Sequence, residues 1–169
     1  MRKTFELENN RLTLHVAPVP MGIRGALICL TAASVLAPLT VLIYSLATGG
    51  NLRFGFMLSV IIFGLIGFYF LRMTLWNTYG KEVIVFGDHT IDYSADYKWF
   101  RDRTRSYSRA DLKFDVQPVG YGEDNMGILI IDAKGNIIQC VVKLPLNELV
   151  KLISILTALF ATEHNRQNS

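Results

Sequence analysis

Charge and the residue types that build reactive centres are scarce in this chain. Asp, Glu, Lys and Arg make up 18% of the 169 residues, against about 25% in an average soluble domain. The two cysteines, Cys29 and Cys140, fall in an apolar run and in a predicted strand, which suggests neither a disulfide nor a metal pair. The three histidines lack metal-ligand spacing, and no nucleophile elbow or phosphate-binding glycine loop occurs. We therefore expect no catalytic residues, no metal and no cofactor, and hence a protein that is not an enzyme.

The charge is missing from one region. A single charged residue, Arg53, lies between Gly25 and Leu71, and two uncharged runs, Gly25–Thr48 and Phe54–Leu71, surround it. As helices these runs reach roughly 36 and 27 Å, compared with about 30 Å of bilayer hydrocarbon. They are typical of membrane-spanning helices joined by a glycine-containing turn. The predicted bounds are 21–76 for a transmembrane hairpin, about 24–48 and 54–76 for its helices, and 48–53 for its turn.

Basic residues set the expected orientation of the hairpin. Lys and Arg concentrate in cytoplasmic flanks, and here they lie on both outer flanks, whereas the turn carries only Arg53. We therefore expect a multi-pass protein with both termini in the cytoplasm. The alternative is a signal peptide cleaved after Ser45-Leu46-Ala47, but the apolar run exceeds the usual core of about 7–15 residues. The flanking basic residues are Arg2, Lys3, Arg11 and Arg24 before the hairpin and Arg72 and Lys81 after it.

The remainder of the chain alternates with the two-residue period of antiparallel strands and then turns helical. Leucines and other apolar residues from Leu149 to Phe160 recur at helical spacing, which predicts an amphipathic helix that begins near Pro145 and ends before residue 162. We assign residues 77–161 to one domain, with a loop at 118–125, and expect 162–169 to be a flexible tail. The predicted strands are 82–86, 90–97, 103–108, 112–116, 126–131 and 136–142.

A second pair of strands is predicted before the hairpin. Thr4–Leu7 and Arg11–Val16 alternate around Glu8-Asn9-Asn10. An isolated two-stranded hairpin is marginally stable in water. We therefore expect the N-terminal segment, residues 1–20, to dock on the main sheet.

The order of these elements resembles a known family. A transmembrane hairpin leads through Leu75-Trp76-Asn77-Thr78-Tyr79-Gly80-Lys81-Glu82 into a run of strands and a final helix, Leu146–Phe160. This order is similar to that of bacterial membrane proteins with a pleckstrin-homology-like (PH-like) domain. The resemblance implies an α+β protein of the bacterial inner membrane, with a partly open antiparallel barrel capped by the last helix. It also implies a binding or scaffold role without shared catalytic residues, toward protein partners or anionic lipid headgroups. An accessory subunit of a larger inner-membrane complex is the alternative, since bare apolar helix faces suit foreign helices or a second copy of the chain.

A basic cluster supplies the candidate binding residues. On an extended strand Arg101, Arg103 and Arg105 project to one side, and Trp99 lies close to them in sequence. Basic residues near a membrane attract anionic lipid by about 1 kcal/mol each, but the sequence slightly favours the alternative, a solvated edge strand whose charges resist aggregation. Nucleic acid is not an expected partner because the net charge is only +3 and no binding motif occurs. The candidate residues are Lys98, Trp99, Arg101, Arg103, Arg105 and Arg109.

Overall fold

The structure is a computed structural model. It describes residues 4–49, 54–120 and 124–167, with side chains up to residue 160. The chain divides into two compact units, one of residues 18–79 and one that combines the first 17 residues with residues 80–169. The centre of the predicted 48–53 turn and part of the predicted 118–125 loop lie outside the described residues.

Two long helices make up the first unit. Helix α1 spans Met21–Ala47 and α2 spans Phe54–Tyr79. Both are long and apolar enough to cross a membrane, and only 11% and 6% of their apolar stretches are buried. A core helix of a soluble protein would be mostly buried, so this exposure supports insertion into lipid. The prediction of two apolar helices is confirmed; α1 begins three residues earlier and α2 ends three residues later than the sequence suggested.

The two helices approach each other closely at one glycine. Ser34 is the buried polar residue of α1, and its hydroxyl donates to the Thr31 carbonyl at 2.9 Å. A Cβ atom added to Gly67 would lie 2.8 Å from Ser34 Oγ, so only glycine fits there without a shift. At Gly64 the same atom would meet nothing within 4 Å. Close packing within the hairpin therefore accounts for Gly67 and leaves Gly64 unexplained.

The larger sheet takes strands from both ends of the chain. Its order is β1-β2-β3-β4-β5, and every neighbouring pair is antiparallel. The N-terminal pair joins the main sheet because β2 pairs with β3 over five positions, from Arg11 opposite Val85 to His15 opposite Lys81. This pairing buries Leu12 and Leu14 completely. The strands are β1 Phe5–Glu8, β2 Arg11–His15, β3 Lys81–Phe86, β4 Thr90–Asp96 and β5 Arg101–Ser108.

The smaller sheet is built around β7. Strand β7 pairs with β6 on one side and with β8 on the other, and a short strand, β9, also pairs with it. The turn between β7 and β8 contains Gly135, which has φ 86° and whose N–H donates to Asp132 Oδ1 at 2.8 Å. Both sheets are antiparallel, and among the residues that the structure describes they do not close into a continuous barrel. The strands are β6 Leu112–Pro118, β7 Met126–Ala133, β8 Asn136–Gln139 and β9 Leu144–Pro145.

The C-terminal helix packs on the smaller sheet. Helix α3 spans Leu146–Gln167 and buries Leu149, Leu152 and Leu156 completely, as its spacing predicted. A Cβ atom at Gly127 of β7 would lie 2.8 Å from Leu146 Cδ2, which shows how closely helix and sheet approach. The predicted helix end before residue 162 is wrong, since the helix continues to Gln167. Flexibility of residues 162–169 stays a prediction.

Candidate functional site

The six candidate residues lie along the outermost strand of the larger sheet. Lys98 and Trp99 are in the turn between β4 and β5, three arginines are in β5, and Arg109 follows β5. At about 3.3 Å per residue, roughly 25 Å separate Arg101 from Arg109. Within the described residues no strand pairs with the outer edge of β5. The candidates therefore line an edge and do not converge on one pocket.

The turn between β4 and β5, residues 97–100, presents an exposed aromatic ring; we call it the hairpin tip. The N–H of Tyr97 donates to the Phe100 carbonyl at 3.0 Å, and the two rings stack with centroids 4.6 Å apart and planes 12° apart. The Lys98 N–H donates to Asp96 Oδ1 at 2.8 Å, and Lys98 takes a left-handed backbone with φ 76°. Trp99 is 71% exposed at the end of this ordered turn.

The buried carboxylate of Asp96 lies close to two cationic side chains beside the hairpin tip. Asp96 is 7% exposed, and its Oδ2 lies 3.7 Å from Lys81 Nζ and 3.6 Å from Arg101 Nε. The Arg101 side chain keeps 65% of its surface exposed, so its charge also faces solvent. Strand pairing explains the cluster, since Asp96 stands opposite both Lys81 and Arg101.

The pairing of β5 with β4 places Arg101 and Arg105 on different faces of the sheet, although the sequence predicted one common side. Arg101 stands opposite Asp96, whereas Arg105 stands opposite Tyr93, with a register shift between them. Residues directly opposite each other on neighbouring strands point to the same face of the sheet. Tyr93 and Asp96 are three residues apart on β4 and therefore point to opposite faces. Their partners, Arg105 and Arg101, consequently lie on different faces. Arg103, in the shifted stretch, has φ 54°. The prediction of a common side is therefore wrong, because one extra residue in β5 reverses the alternation.

Arg109 is half-buried and contacts two other parts of the domain. Its Nη1 donates to the Gly87 carbonyl at 2.6 Å, and its guanidinium carbon lies 4.8 Å from the centroid of the Phe160 ring. The Phe160 ring in turn packs against Phe86 and Phe114, with centroids 4.8 and 5.7 Å away. These contacts give Arg109 a role in joining the turn after β3 to α3.

A buried carboxylate that the sequence analysis did not single out links the two sheets. Glu82 in β3 is fully buried, and its carboxylate accepts hydrogen bonds from the Tyr93 hydroxyl and from two backbone N–H groups after β8. The donors are Val141 at 2.8 Å and Val142 at 2.9 Å. A signal was present, because Glu82 has the same strand parity as Ile84 and Phe86, which predicts an inward side chain.

Burial shifts the titration of this group and its neighbours. Burial raises the pKa of Glu82 above its ordinary value of 4.5, against its three hydrogen bonds and the Arg103 charge, which lower it. The pKa of Tyr93 is raised by burial and by the Glu82 charge, and the same two causes raise the pKa of Cys140. Glu82 therefore acts as a structural acceptor whose charge is disfavoured where it sits.

No group of three or more His, Cys, Asp or Glu residues arranged to hold a metal occurs in the part of the chain that the structure describes. His15 lies 3.8 Å from Glu6 across the β1–β2 pair. In comparisons with known proteins, no family model, no curated protein and no solved structure matches this chain.

Proposed function

We propose that this chain is a non-enzymatic, membrane-anchored binding or scaffold protein of the bacterial inner membrane. In this proposal α1 and α2 span the bilayer, both termini are cytoplasmic, and a PH-like domain is presented to protein partners or to anionic lipid headgroups. The observations that support it are two apolar helices and an antiparallel sheet domain with a C-terminal helix.

One observation carries the proposal: the larger sheet is assembled from strands on both sides of the helical pair. Strand β2 precedes α1, β3 follows α2, and the two strands pair over five positions. Backbone hydrogen bonds cannot form across a bilayer, so the segments before and after the helices must be on the same side. Two spans satisfy this condition, and the basic flanks favour the cytoplasm as that side.

The arrangement of the β domain supports the PH-like resemblance. Strands β3–β5 and β6–β8 form two separate antiparallel meanders, and α3 buries its leucines against the second one. An open sheet pair closed at one end by a helix is what the resemblance implies. The exposed basic strand β5, which lies at an edge of the sheet, is the surface that we assign to binding.

Topology is the first test. A protease-cleavable tag is placed at each terminus of the full chain, and protease is added to spheroplasts and to inverted membrane vesicles. The proposal expects both tags to be cut only in inverted vesicles. Cleavage of either tag in intact spheroplasts would overturn it.

Binding is the second test. The full chain is purified from native membranes, and co-purifying proteins and lipids are identified for the wild type, for Arg105→Ala and for Lys134→Ala. Lys134 is an exposed lysine in the β7–β8 turn, so its variant loses the same charge elsewhere. The proposal expects Arg105→Ala alone to lose bound molecules. A stoichiometric membrane partner that both variants retain would instead favour the accessory-subunit alternative.

A further inference from the structure

We infer that the hairpin tip docks on an anionic bilayer surface, with Trp99 seated among the lipid headgroups. The inference rests on the proposed function and assigns the occupant of one end of its binding surface. Four observations carry it: the exposure of Trp99, the order of the tip, the charge around it, and its place in the chain.

The first two observations are the exposure of the Trp99 ring and the order of the turn that carries it. Trp99 exposes 71% of its surface at the end of a turn, and indole rings favour the membrane–water interface because they combine an apolar body with an N–H donor. The Tyr97–Phe100 stack and the Lys98 hydrogen bond to Asp96 fix the turn that carries it. An ordered turn loses little conformational entropy when it docks, which favours binding.

The third observation is the excess of positive charge around the hairpin tip. The cations at this end of the sheet are Lys81, Lys98, Arg101 and Arg103, and the acids are Glu82, Asp96 and Asp102. The four cations therefore outnumber the three acids, and two of these acids, Glu82 and Asp96, are buried. Each basic residue near an anionic surface strengthens association about five-fold.

The fourth observation is the place of the tip in the chain. Lys81, the first residue of β3, stands opposite Asp96, the last residue of β4, so the tip lies at the end of the sheet where β3 begins. Only Gly80 separates Lys81 from Tyr79, the last residue of α2. A spanning helix ends at the bilayer surface, so in the proposed topology this end of the sheet begins at that surface.

The edge of β5 is less suited to adding a partner's strand. Strand addition needs a regular edge, whereas β5 carries a register shift and arginines along its length. Irregular, charged edges oppose strand pairing. The features of this surface therefore favour lipid over an extended peptide.

Trp99 can be observed directly in the full chain. The protein has two tryptophans, so Trp76→Phe leaves Trp99 as the sole indole. This variant is placed in nanodiscs of zwitterionic lipid, with and without anionic lipid, and quenching by acyl-chain-brominated lipid is measured. The inference expects blue-shifted, quenchable Trp99 emission in anionic discs, and weaker quenching in zwitterionic discs or in high salt.

Two lysine-to-alanine variants, one in the hairpin tip and one far from it in the chain, test the electrostatic part of the docking. In the same background, Lys98→Ala lowers the docking constant about five-fold, whereas Lys134→Ala, far along the chain in the β7–β8 turn, leaves it unchanged. Fully hydrated, unquenched Trp99 emission in anionic discs would overturn the inference, and so would quenching that is the same at every lipid charge and salt concentration.

The result is distinguishable from a failure of the proposed function. Both faces of a nanodisc are accessible, so quenching does not depend on which side of a cell membrane carries the domain. Unquenched Trp99 together with cytoplasmic tags refutes the docked tip and leaves the anchored scaffold in place. Quenched Trp99 together with tags cut in spheroplasts supports lipid docking and refutes the cytoplasmic assignment.

Discussion

The buried carboxylate of Glu82 offers the sharpest test of how the domain is held together. Its two oxygens accept three hydrogen bonds, and two of the donors, the Tyr93 hydroxyl and the Val142 N–H, belong to buried residues. Glu82→Gln keeps one oxygen and turns an NH₂ group toward a donor, which leaves one buried group unsatisfied. We expect a loss of about 1–3 kcal/mol of stability. Glu82→Ala removes both oxygens, and the expected loss is about 2–6 kcal/mol.

The pH dependence of stability has a definite sign. Because burial raises the pKa of Glu82 above 4.5, the folded protein binds this proton more tightly than the unfolded chain. The contribution of Glu82 is therefore most favourable below pH 4.5, and it declines as the pH rises through the folded-state pKa. Glu82→Gln cannot titrate and removes that decline.

The assay is urea unfolding of the full chain in nanodiscs, followed by pulse proteolysis at several pH values. Glu8→Gln, the same substitution at an exposed position of β1, is the matched control, and we expect it to change stability by less than about 0.5 kcal/mol. Faster hydrogen exchange at Val141 and Val142 would localise the effect. If Glu82→Gln matches the wild type in both midpoint and pH slope, the carboxylate does not hold the two sheets together.

Three further predictions concern packing. Gly127→Ala overpacks the approach of α3 to β7, and we expect urea unfolding to show a loss of about 1–2 kcal/mol; an unchanged midpoint would contradict that contact. Gly67→Leu forces the membrane helices apart and lowers the melting temperature in detergent, measured by circular dichroism, whereas Gly64→Leu leaves it unchanged; equal shifts would refute the close approach. Phe160→Ala removes the ring that packs against Phe86 and Phe114 and destabilises the domain by about 2 kcal/mol, again measured in urea; a neutral result would show that these ring contacts do not stabilise the domain.

Much of the architecture was predictable because it depends on local pattern. The uncharged runs predicted two apolar helices within three residues of their observed ends, since one buried charge in lipid is costly enough to set the boundary. Strict alternation in Leu112–Val116 predicted β6, and the leucine spacing predicted the buried face of α3. The helix end was misjudged because polar residues after 161 carry no stop signal such as glycine or proline.

The candidate site was less predictable because it depends on pairing between distant segments. Assigning side chains to a face by alternation assumes that each residue of a strand stands opposite one residue of its neighbour. Strand β5 has one residue more than β4 between their paired positions, and this extra residue is visible only once the two strands are paired. Arg109 was grouped with the basic cluster by sequence proximity, whereas its partners, Gly87 and Phe160, lie far away along the chain.

The sequence by itself determined which segments avoid water and which face of each strand and helix is apolar, because hydrophobic burial follows residue type and period. Only the tertiary structure decided that β2 joins β3, that Glu82 meets the backbone of Val141 and Val142, and that Arg101 and Arg105 face opposite ways. Hydrogen bonds and ion pairs act over a few ångströms, so they exist only where the fold brings residues distant in sequence together.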